Sequence, residues 1–216
     1  IICFPIGPHV PLGVAARILR IPVVLHIGNS PPSDSGARRK LRLTLKAGEP
    51  LVRKHLACSE FVAGASRDAY GLRKVEAVPN GVVLDRLLAL RSNRAKPSES
   101  RTLRIGMVAT LSSHKDQEVL VQAAAALKLR GVAFTMLFAG DGPEREKLER
   151  LTRDLGLESH VQWRGTVADV ASFLQQLDIF AFATTESEGQ GIALLEAMAV
   201  GLPVVASDVS ACREVL

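Results

Sequence analysis

The sequence predicts an α/β protein built on parallel sheets, with helices on both faces of each sheet. First, short apolar runs of strand character alternate with helical segments along most of the chain. Second, a charged, Ser-rich stretch that contains Pro97, RLLALRSNRAKPSESRT, lacks strand character and interrupts this alternation between residues 86 and 102. We therefore predict two α/β domains, residues 1–90 and residues 103–216, joined by a linker over residues 91–102.

The first block alternates between buried strands and helices. Strands are predicted for IICFPI, PVVLHIG, HLACS and KVEAVP, which are rich in apolar and β-branched residues. Helices are predicted for PLGVAARILR and for the segment from Glu60 to Tyr70. This order favours a parallel sheet, because consecutive parallel strands need a crossover connection between them.

The second block shows the same alternation more clearly. Strands are predicted for LRIGMVA, AFTMLFAG, VQWRG, DIFAFAT and PVVAS. Helices are predicted for DQEVLVQAAAALKLR, PEREKLERLTRDLG, VADVASFLQQ and IALLEAMAV. The last of these helices closes at Gly201 and is followed by Pro203, which is the expected end of a helix.

Composition narrows the class of protein. Apolar residues make up 47% of the 216 residues, and no apolar run is long enough for a membrane span. Cys3, Cys58 and Cys212 are far apart and form no C-x-x-C pair, so we expect reduced thiols in a cytoplasmic protein without a metal site. The chain begins IICFPIGP rather than with Met, which is typical of a start inside a domain. A leader peptide that has been removed is the other explanation.

Charge is distributed unevenly along the chain. Residues 1–100 carry 16 Lys or Arg and 7 Asp or Glu, whereas residues 101–216 carry 11 and 15. One segment, ARRKLRLTLKAGEPLVRK, has seven basic residues and one acid among leucines. It fits a solvated helix face, and it also fits peripheral contact with an anionic membrane surface or a lipid-linked acceptor. No nucleic acid is expected as a partner, because aromatic residues are scarce and no nucleic-acid-binding module is recognised.

A loop between a predicted strand and a predicted helix carries the strongest functional pattern. Glu188 and Glu196 are eight positions apart, with Gly189 and Gly191 between them. In an open parallel sheet this loop lies at the carboxyl edge, where ligands bind, and a helix start offers free N–H groups to a phosphate. Glu196, about one turn into the helix, could accept hydrogen bonds from sugar hydroxyls. Taken alone, such glycines and acids fit an ordinary turn as well as a ligand site.

The segment ESEGQGIALLEAMAVGLPVVASD resembles the E-x7-E signature of retaining glycosyltransferases of family 4, also called glycosyltransferase group 1, which have the GT-B fold. Four more segments resemble motifs of that family: VATLSSHKD, AGDGPEREKLERLTRDLGL, VPNGVVLDRL and IPVVLHIGNSP. The resemblance implies two Rossmann-like domains with parallel sheets. Residues 1–90 would be the C-terminal part of an incomplete acceptor-side domain, and residues 103–216 most of the nucleotide-sugar donor domain of a truncated chain.

The resemblance also implies an activity. The protein would transfer a hexose from a nucleotide sugar to a hydroxyl of a glycan or lipid-linked acceptor, with retention of configuration, in polysaccharide biosynthesis at the cell envelope. No D-x-D motif occurs, so we expect no metal and no cofactor, with basic side chains and helix N–H groups stabilising the leaving diphosphate. The implied catalytic residues are His26, Lys115 and Glu188. The implied donor-binding residues are Thr110, Lys115, Gly165, Glu188, Gly189, Gln190, Gly191, Ile192 and Glu196.

Thr110 departs from the family pattern, which has an Arg five residues before the Lys that corresponds to Lys115. Thr can donate a hydrogen bond, but it has neither charge nor a planar fork of donors. Either another cation, such as His114 or Arg104, compensates, or the donor binds differently or more weakly.

Three other functions are weighed against transfer. A NAD-dependent oxidoreductase would need a full G-x-G-x-x-G after a strand, whereas Gly140 and Gly142 are followed by Pro143. A nucleotide-sugar binder with lost or altered catalysis and a nucleotide-sugar epimerase would share the fold. Thr110 is the reason that a non-catalytic binder stays an alternative. Product analysis separates the transferase, the oxidoreductase, the binder and the epimerase.

Overall fold

The structure is a computed structural model, and it describes residues 1–3, 9–92 and 102–216. Within these residues, the strands are β1 (Ile2–Cys3), β2 (Val24–Ile27), β3 (Lys54–Ala57), β4 (Val75–Ala77), β5 (Leu103–Val108), β6 (Phe134–Ala139), β7 (Val161–Trp163), β8 (Ile179–Phe182) and β9 (Val204–Ala206). The α-helices are α1 (His9–Ile18), α2 (Ser35–Gly48), α3 (Glu60–Tyr70), α4 (Leu84–Ser92), α5 (Gln117–Leu129), α6 (Arg145–Asp154), α7 (Val170–Gln175), α8 (Ile192–Ala199) and α9 (Ser210–Val215).

These elements form two compact units. Unit 1 contains residues Ile1–Gly81, Glu186–Gly191 and Val209–Leu216. Unit 2 contains Val82–Thr185 and Ile192–Asp208. Each unit has its own sheet, and all observed strand pairs are parallel. The α/β class predicted from the alternation of strands and helices is therefore confirmed.

Unit 1 is built on a sheet with the strand order β1-β2-β3-β4. Leu25 and Ile27 of β2 are fully buried, while the alternate residue His26 lies half-buried on the other face of the sheet. Leu45 of α2 and Val62 of α3 complete this core, and both are fully buried. Alternation along β2 thus decides which of its side chains enter the core.

Helix α3 begins and ends where its sequence predicts. Ser59 caps its first turn by accepting a hydrogen bond from the backbone N–H of Val62 at 3.1 Å. Gly71 ends the helix in the left-handed conformation, with φ of 67°. The helix predicted around Glu60 to Tyr70 is therefore observed.

Unit 2 is built on a sheet with the strand order β7-β6-β5-β8-β9. The chain runs outward from β5 through β6 to β7 and then returns to β8 beside β5, so the strand order reverses at the β5–β8 pair. Such a reversal point is where loops diverge at the carboxyl edge of a parallel sheet and leave room for a ligand. Its core is apolar, with Met107, Phe138, Phe180 and Leu174 all buried.

The structure differs from the predicted domain organisation in two places. Residues 91 and 92, predicted as the start of the linker, belong to helix α4, and residues 93–101 lie outside the described residues. The first unit ends at Gly81 rather than at residue 90, and it also takes in Glu186–Gly191 and the segment that contains α9. Helix α4 belongs to unit 2, where Leu87 is buried and Arg86 pairs with Asp169, the N-cap of α7.

Other differences are small. Of the predicted strand IICFPI, β1 covers two residues, and Phe4, Pro5 and Ile6 lie outside the described residues. The described residues contain no helix that is both long and apolar enough to cross a membrane.

Candidate functional site

The carboxyl edge of the unit 2 sheet holds a cavity of about 250 Å³. It is formed where β5, β6 and β7 end and α7 begins, so three neighbouring loops contribute to it. Its lining is mostly apolar, with two hydroxyls and one carboxylate. The lining residues are Val108, Ala109, Thr110, Ala139, Gly140, Asp141, Thr166, Val167 and Val170.

Two glycines bring these loops close together. Gly140 follows β6 with φ of 139°, and a Cβ atom there would overlap with the carbonyl oxygen of Ala109. Gly165 follows β7 with φ of 67°, and its carbonyl oxygen accepts a hydrogen bond from the N–H of Gly140 at 2.8 Å. Gly165, predicted to bind the donor, thus lies in the loop that leads to the cavity.

Lys115 lies at the same edge, in the 3₁₀ turn Ser113–Lys115 that follows β5. Its Nζ atom is 5.2 Å from the centre of the Phe182 ring at the end of β8. The preceding carbonyl, of His114, accepts hydrogen bonds from the hydroxyl of Thr184 and from the N–H of Thr185, both at 2.9 Å. These contacts fix Lys115 beside the point where the strand order reverses.

Thr110 has an exposed side chain that lines the cavity, and its carbonyl oxygen accepts a hydrogen bond from Nε2 of Gln117 at 2.9 Å. Of the two cations that were candidates to replace the missing Arg, Arg104 is the second residue of β5 and lies at the opposite end of that strand. His114 lies on the correct edge, but its Nδ1 atom is 3.1 Å from the hydroxyl of Ser112. Arg104 therefore does not compensate for Thr110.

Glu196 lies in the second turn of α8, the helix that starts at Ile192. It is half-buried, and its carboxylate makes no hydrogen bond or ion pair within the part of the chain that the structure describes. Burial raises the pKa of this carboxyl group. A half-buried carboxylate without a donor is costly in the protein alone, and ligand hydroxyls would satisfy it.

Glu188, the first acid of the pattern, belongs to a different unit. The loop Glu186–Gly191 is part of unit 1, whereas Lys115 and Glu196 are part of unit 2. Glu188 is buried, and its Oε1 atom accepts a hydrogen bond from the N–H of Gly189 at 3.0 Å. That Glu188, Lys115 and Glu196 line one ligand site stays a prediction, since the loop follows β8 of the unit 2 sheet in sequence while its contacts assign it to unit 1.

Close packing of the backbone explains why residue 189 is a glycine. A Cβ atom at Gly189 would overlap with the carbonyl oxygen of Gly28 and lie 2.9 Å from Sγ of Cys58. The hydroxyl of Ser59 donates a hydrogen bond to the carbonyl oxygen of Gly189 at 2.7 Å. The sequence suggested that this glycine admits a ligand, but in the structure it admits the backbone after β2.

Gln190, predicted to bind the donor, forms hydrogen bonds through its side chain to the backbone of Asn80. Its Oε1 atom accepts a hydrogen bond from the N–H of Asn80 at 2.8 Å, and its Nε2 atom donates to the carbonyl oxygen of Asn80 at 3.1 Å. Gly191 follows with φ of 75° and leads into α8 at Ile192, whose side chain is exposed. Gln190 is thus a buried structural contact of unit 1.

His26 lies near the carboxyl end of β2, opposite Leu56 of β3. This is the edge of the unit 1 sheet where ligands of parallel sheets bind, as the sequence predicted. The residues that sequence reasoning missed are those that hold the Glu188 loop, namely Gly28, Cys58 and Ser59. In the sequence, only their position just after β2 and β3 could have indicated a role, because their contacts are with residues distant in sequence.

The three cysteines are free and buried. Within the described ranges, no group of three or more His, Cys, Asp or Glu side chains could hold a metal ion. Metal independence of the reaction stays a prediction, because a metal can also enter a site together with its substrate.

Comparison with curated proteins gives relatives over most of the chain. The putative glycosyltransferase EpsF of Bacillus subtilis (strain 168) is 30% identical over 210 residues, which are 91% of this chain and 54% of that protein. A GDP-mannose-dependent alpha-(1-6)-phosphatidylinositol monomannoside mannosyltransferase of Mycobacterium tuberculosis is 31% identical over 166 residues, 69% of this chain and 42% of that protein. The chain therefore spans about half the length of these relatives.

Solved structures with the same architecture include HepE of Anabaena in complex with UDP. It has a TM-score of 0.76 and 26% identity, over 96% of this chain and 59% of that chain. TarM has a TM-score of 0.70 at 19% identity, over 88% of this chain and 37% of that chain, a likeness that shows the fold alone. The predicted GT-B type of fold is confirmed by these likenesses. The family described as Glycosyl transferases group 1 matches residues 102–216, just over half of the chain, and the chain belongs to that family.

Proposed function

We propose that the protein is a glycosyltransferase that moves a hexose from a nucleotide sugar to a hydroxyl of a glycan or lipid-linked acceptor. The observation that carries the proposal is Glu196, a half-buried carboxylate without a partner among the described residues, on the helix that follows the Glu188 loop. Two neighbouring hydroxyls of a sugar can each donate a hydrogen bond to such a carboxylate. The reaction proceeds with retention of configuration and without a metal ion.

The cavity in unit 2 suits the nucleoside part of the donor. Its volume of about 250 Å³ and its lining by valines and alanines fit a flat, partly apolar ring system. The loop that begins at Gly165 would contact the nucleobase through its backbone groups. The relatives agree with this choice of ligand, since HepE is seen with UDP and the mycobacterial relative depends on GDP-mannose.

Stabilisation of the leaving diphosphate falls to Lys115 and to the N–H groups at the start of α8. Thr110 adds a hydroxyl at the cavity but no charge. His26 and Glu188 act at the sugar, where His26 supports the transition state and Glu188 orients the ring. Glu188 is assigned no covalent role in this scheme.

Helix α2 provides a surface for an anionic acceptor or membrane face. Arg39, Lys40 and Arg42 are exposed, and none of them makes an ion pair with the residues that the structure describes. Leu43, 64% exposed, lies among them. Unpaired cations around an exposed apolar side chain favour peripheral contact with anionic lipid headgroups.

The test begins with a panel of UDP, GDP and ADP sugars in a thermal-shift assay on the whole protein. The sugar that stabilises it is then supplied with lipid-linked and glycan acceptors, and the product is identified by mass and by the anomeric configuration of the new linkage. A new glycosidic bond with the donor's configuration, formed equally with and without EDTA, supports the proposal. An inverted product, or activity lost with EDTA and restored by a divalent ion, contradicts it.

The second candidate is a nucleotide-sugar binder with altered catalysis, which the exposed, uncharged Thr110 favours. It predicts stabilisation by the nucleotide sugar without any transfer, hydrolysis or epimerisation of it. The same product analysis therefore separates the binder from the transferase and from an epimerase.

A further inference from the structure

Gln190 and Asn80 are joined as two residues of neighbouring strands would be, except that one partner is a side chain. The amide oxygen of Gln190 accepts the N–H of Asn80 at 2.8 Å, and its amide nitrogen donates to the carbonyl oxygen of Asn80 at 3.1 Å. Gln190 is only 8% exposed, so water does not compete freely for either bond. A carboxamide offers a donor and an acceptor side by side, so one side chain can pair with both backbone groups of a residue.

The residue before Gln190 is held in place as well. The carbonyl oxygen of Gly189 accepts the hydroxyl of Ser59 at 2.7 Å, and its Cα packs against Gly28 and Cys58 too closely for a side chain. Two consecutive residues after Glu188 are thus fixed to unit 1 by hydrogen bonds with partners more than 100 positions away in sequence. The carboxylate of Glu188 in turn accepts the N–H of Gly189.

We propose that Gln190 is a positioning residue that fixes Glu188 through its two hydrogen bonds to Asn80. The inference rests on the proposed function, in which Glu188 orients the donor sugar. Asn80 is followed by Gly81, the last residue of the first stretch of unit 1. Because Gln190 bonds to Asn80, the conformation of the chain around Asn80 is linked to that of the Glu188 loop. Gln190 itself makes no contact with the donor in this role.

The variants Gln190→Leu and Gln190→Glu in the whole protein test the inference. Leu keeps the approximate size and removes both hydrogen bonds, while Glu keeps the acceptor and loses the donor when it is ionised. Gln122, exposed on α5, supplies the control Gln122→Leu. Hydrogen exchange is followed by mass spectrometry in peptides that cover residues 78–82 and 186–191, with β6 as the internal reference.

In Gln190→Leu, exchange should rise at least tenfold in both segments and stay unchanged in β6. Turnover should fall at least tenfold while the KM for the donor stays within twofold. In Gln190→Glu, turnover relative to the unmodified protein should be highest in acid, where a protonated carboxyl group can still donate to Asn80, and should fall as pH rises and the group ionises. Gln122→Leu should change none of these quantities.

Unchanged exchange in Gln190→Leu would overturn the inference, and so would a rise in exchange with turnover intact. A rise in donor KM alone would also overturn it, because it would make Gln190 a donor contact. If the unmodified protein transfers no sugar, the proposed function fails. The exchange data then decide the link between the two segments by themselves, with a joint rise supporting it and no rise refuting it.

Discussion

The backbone at Gly189 packs directly on the backbone at Gly28, so closely that a Cβ atom at Gly189 would overlap with the carbonyl oxygen of Gly28. Gly28 follows β2, which carries His26, and Gly189 follows Glu188. Two residues that the family resemblance implicates in catalysis, His26 and Glu188, are therefore each one or two positions from the same backbone contact within unit 1.

Gly189→Ala should destabilise unit 1. The methyl group meets a carbonyl oxygen and the Sγ atom of Cys58, and backbone must move to admit it, which costs about 1–3 kcal/mol. Gly64→Ala is the matched control, because Gly64 lies in α3 and a methyl group there would have no neighbouring atom within 4 Å. Alanine there should stabilise the helix by about 0.5–1 kcal/mol. Urea unfolding measures both, and equal effects would contradict this interpretation of Gly189.

Replacement by alanine should have different effects on the free energy of unfolding at two buried serines, one that caps α3 and one within it. Ser59 accepts the N–H of Val62 and donates to the carbonyl oxygen of Gly189. Ser66 is also fully buried, but its hydroxyl has no partner among the described residues. Ser59→Ala should lower the free energy of unfolding by about 1–2 kcal/mol, through the lost cap and the unsatisfied carbonyl.

Ser66→Ala should leave that free energy unchanged or raise it, since it removes an unsatisfied buried hydroxyl. Unfolding of the two single variants in urea is the measurement. A loss of stability in Ser66→Ala as large as that in Ser59→Ala would show that Ser66 has a partner the structure does not contain.

The sequence alone predicts the α/β class, since the periods of strands and helices are local properties. Helix α3 is predicted around Glu60 to Tyr70 and is observed there, because its start at Ser59 and its end at Gly71 are set by local contacts. Helix α4 is missed because it runs directly into the charged, Ser-rich stretch that contains Pro97, and its contacts, such as Arg86 with Asp169, are distant in sequence. Local sequence does not contain that information.

The candidate site is only partly predictable for the same reason. Lys115 and Gly165 follow strand ends, and parallel strands bring their carboxyl ends to one edge, so their placement follows from local rules. The roles of Gly189 and Gln190 depend on Gly28 and Asn80, which are more than 100 positions away. Only the fold reveals that these two residues serve packing within unit 1.

Glu196→Gln should stabilise the protein without ligand at neutral pH. Burial raises the pKa of Glu196, so the unfolded chain gives up this proton at a lower pH than the folded protein does. The protonated group favours the folded state, and this stability is present in acid and lost as pH rises through the raised pKa. The gain from Gln should therefore disappear below about pH 4, near the usual pKa of a Glu. Urea titrations of both proteins from about pH 3 to pH 8 give the comparison.

The same substitution at Glu196 should weaken the binding of a nucleoside diphosphate. An amide replaces a charged acceptor of sugar hydroxyls, which costs about 1–3 kcal/mol in binding. Calorimetry at pH 7 measures it. A more stable protein that binds its ligand less tightly is the expected combination, and unchanged affinity would remove Glu196 from the proposed site.

His55 should make the protein sensitive to acid. Its side chain is fully buried in β3, and neither ring nitrogen has a hydrogen-bond partner within the described residues. Burial lowers the pKa of His55, so the unfolded chain takes up a proton at a pH where the folded protein does not. Stability should be full above the unfolded pKa of about 6.5 and be lost as pH falls below it.

His55→Leu should flatten the dependence of stability on pH between about 7 and 5, because the buried titrating group is gone. Thermal unfolding across this range compares the two proteins. An identical slope in both would assign the acid sensitivity to other groups.

Thr110→Arg should tighten the binding of a nucleoside diphosphate in the whole protein. Thr110 lines the cavity after β5, on the same edge as Lys115, so an Arg there can reach a diphosphate with a charged, forked donor. One such contact contributes about 1–2 kcal/mol, roughly tenfold or somewhat more in affinity. Thr102→Arg is the control, because Thr102 is also exposed and adds the same charge at the opposite end of β5. Calorimetry should show a gain for residue 110 alone. A gain in both variants would reflect overall charge. A weaker complex in Thr110→Arg would mean that the cavity has adapted to the smaller side chain.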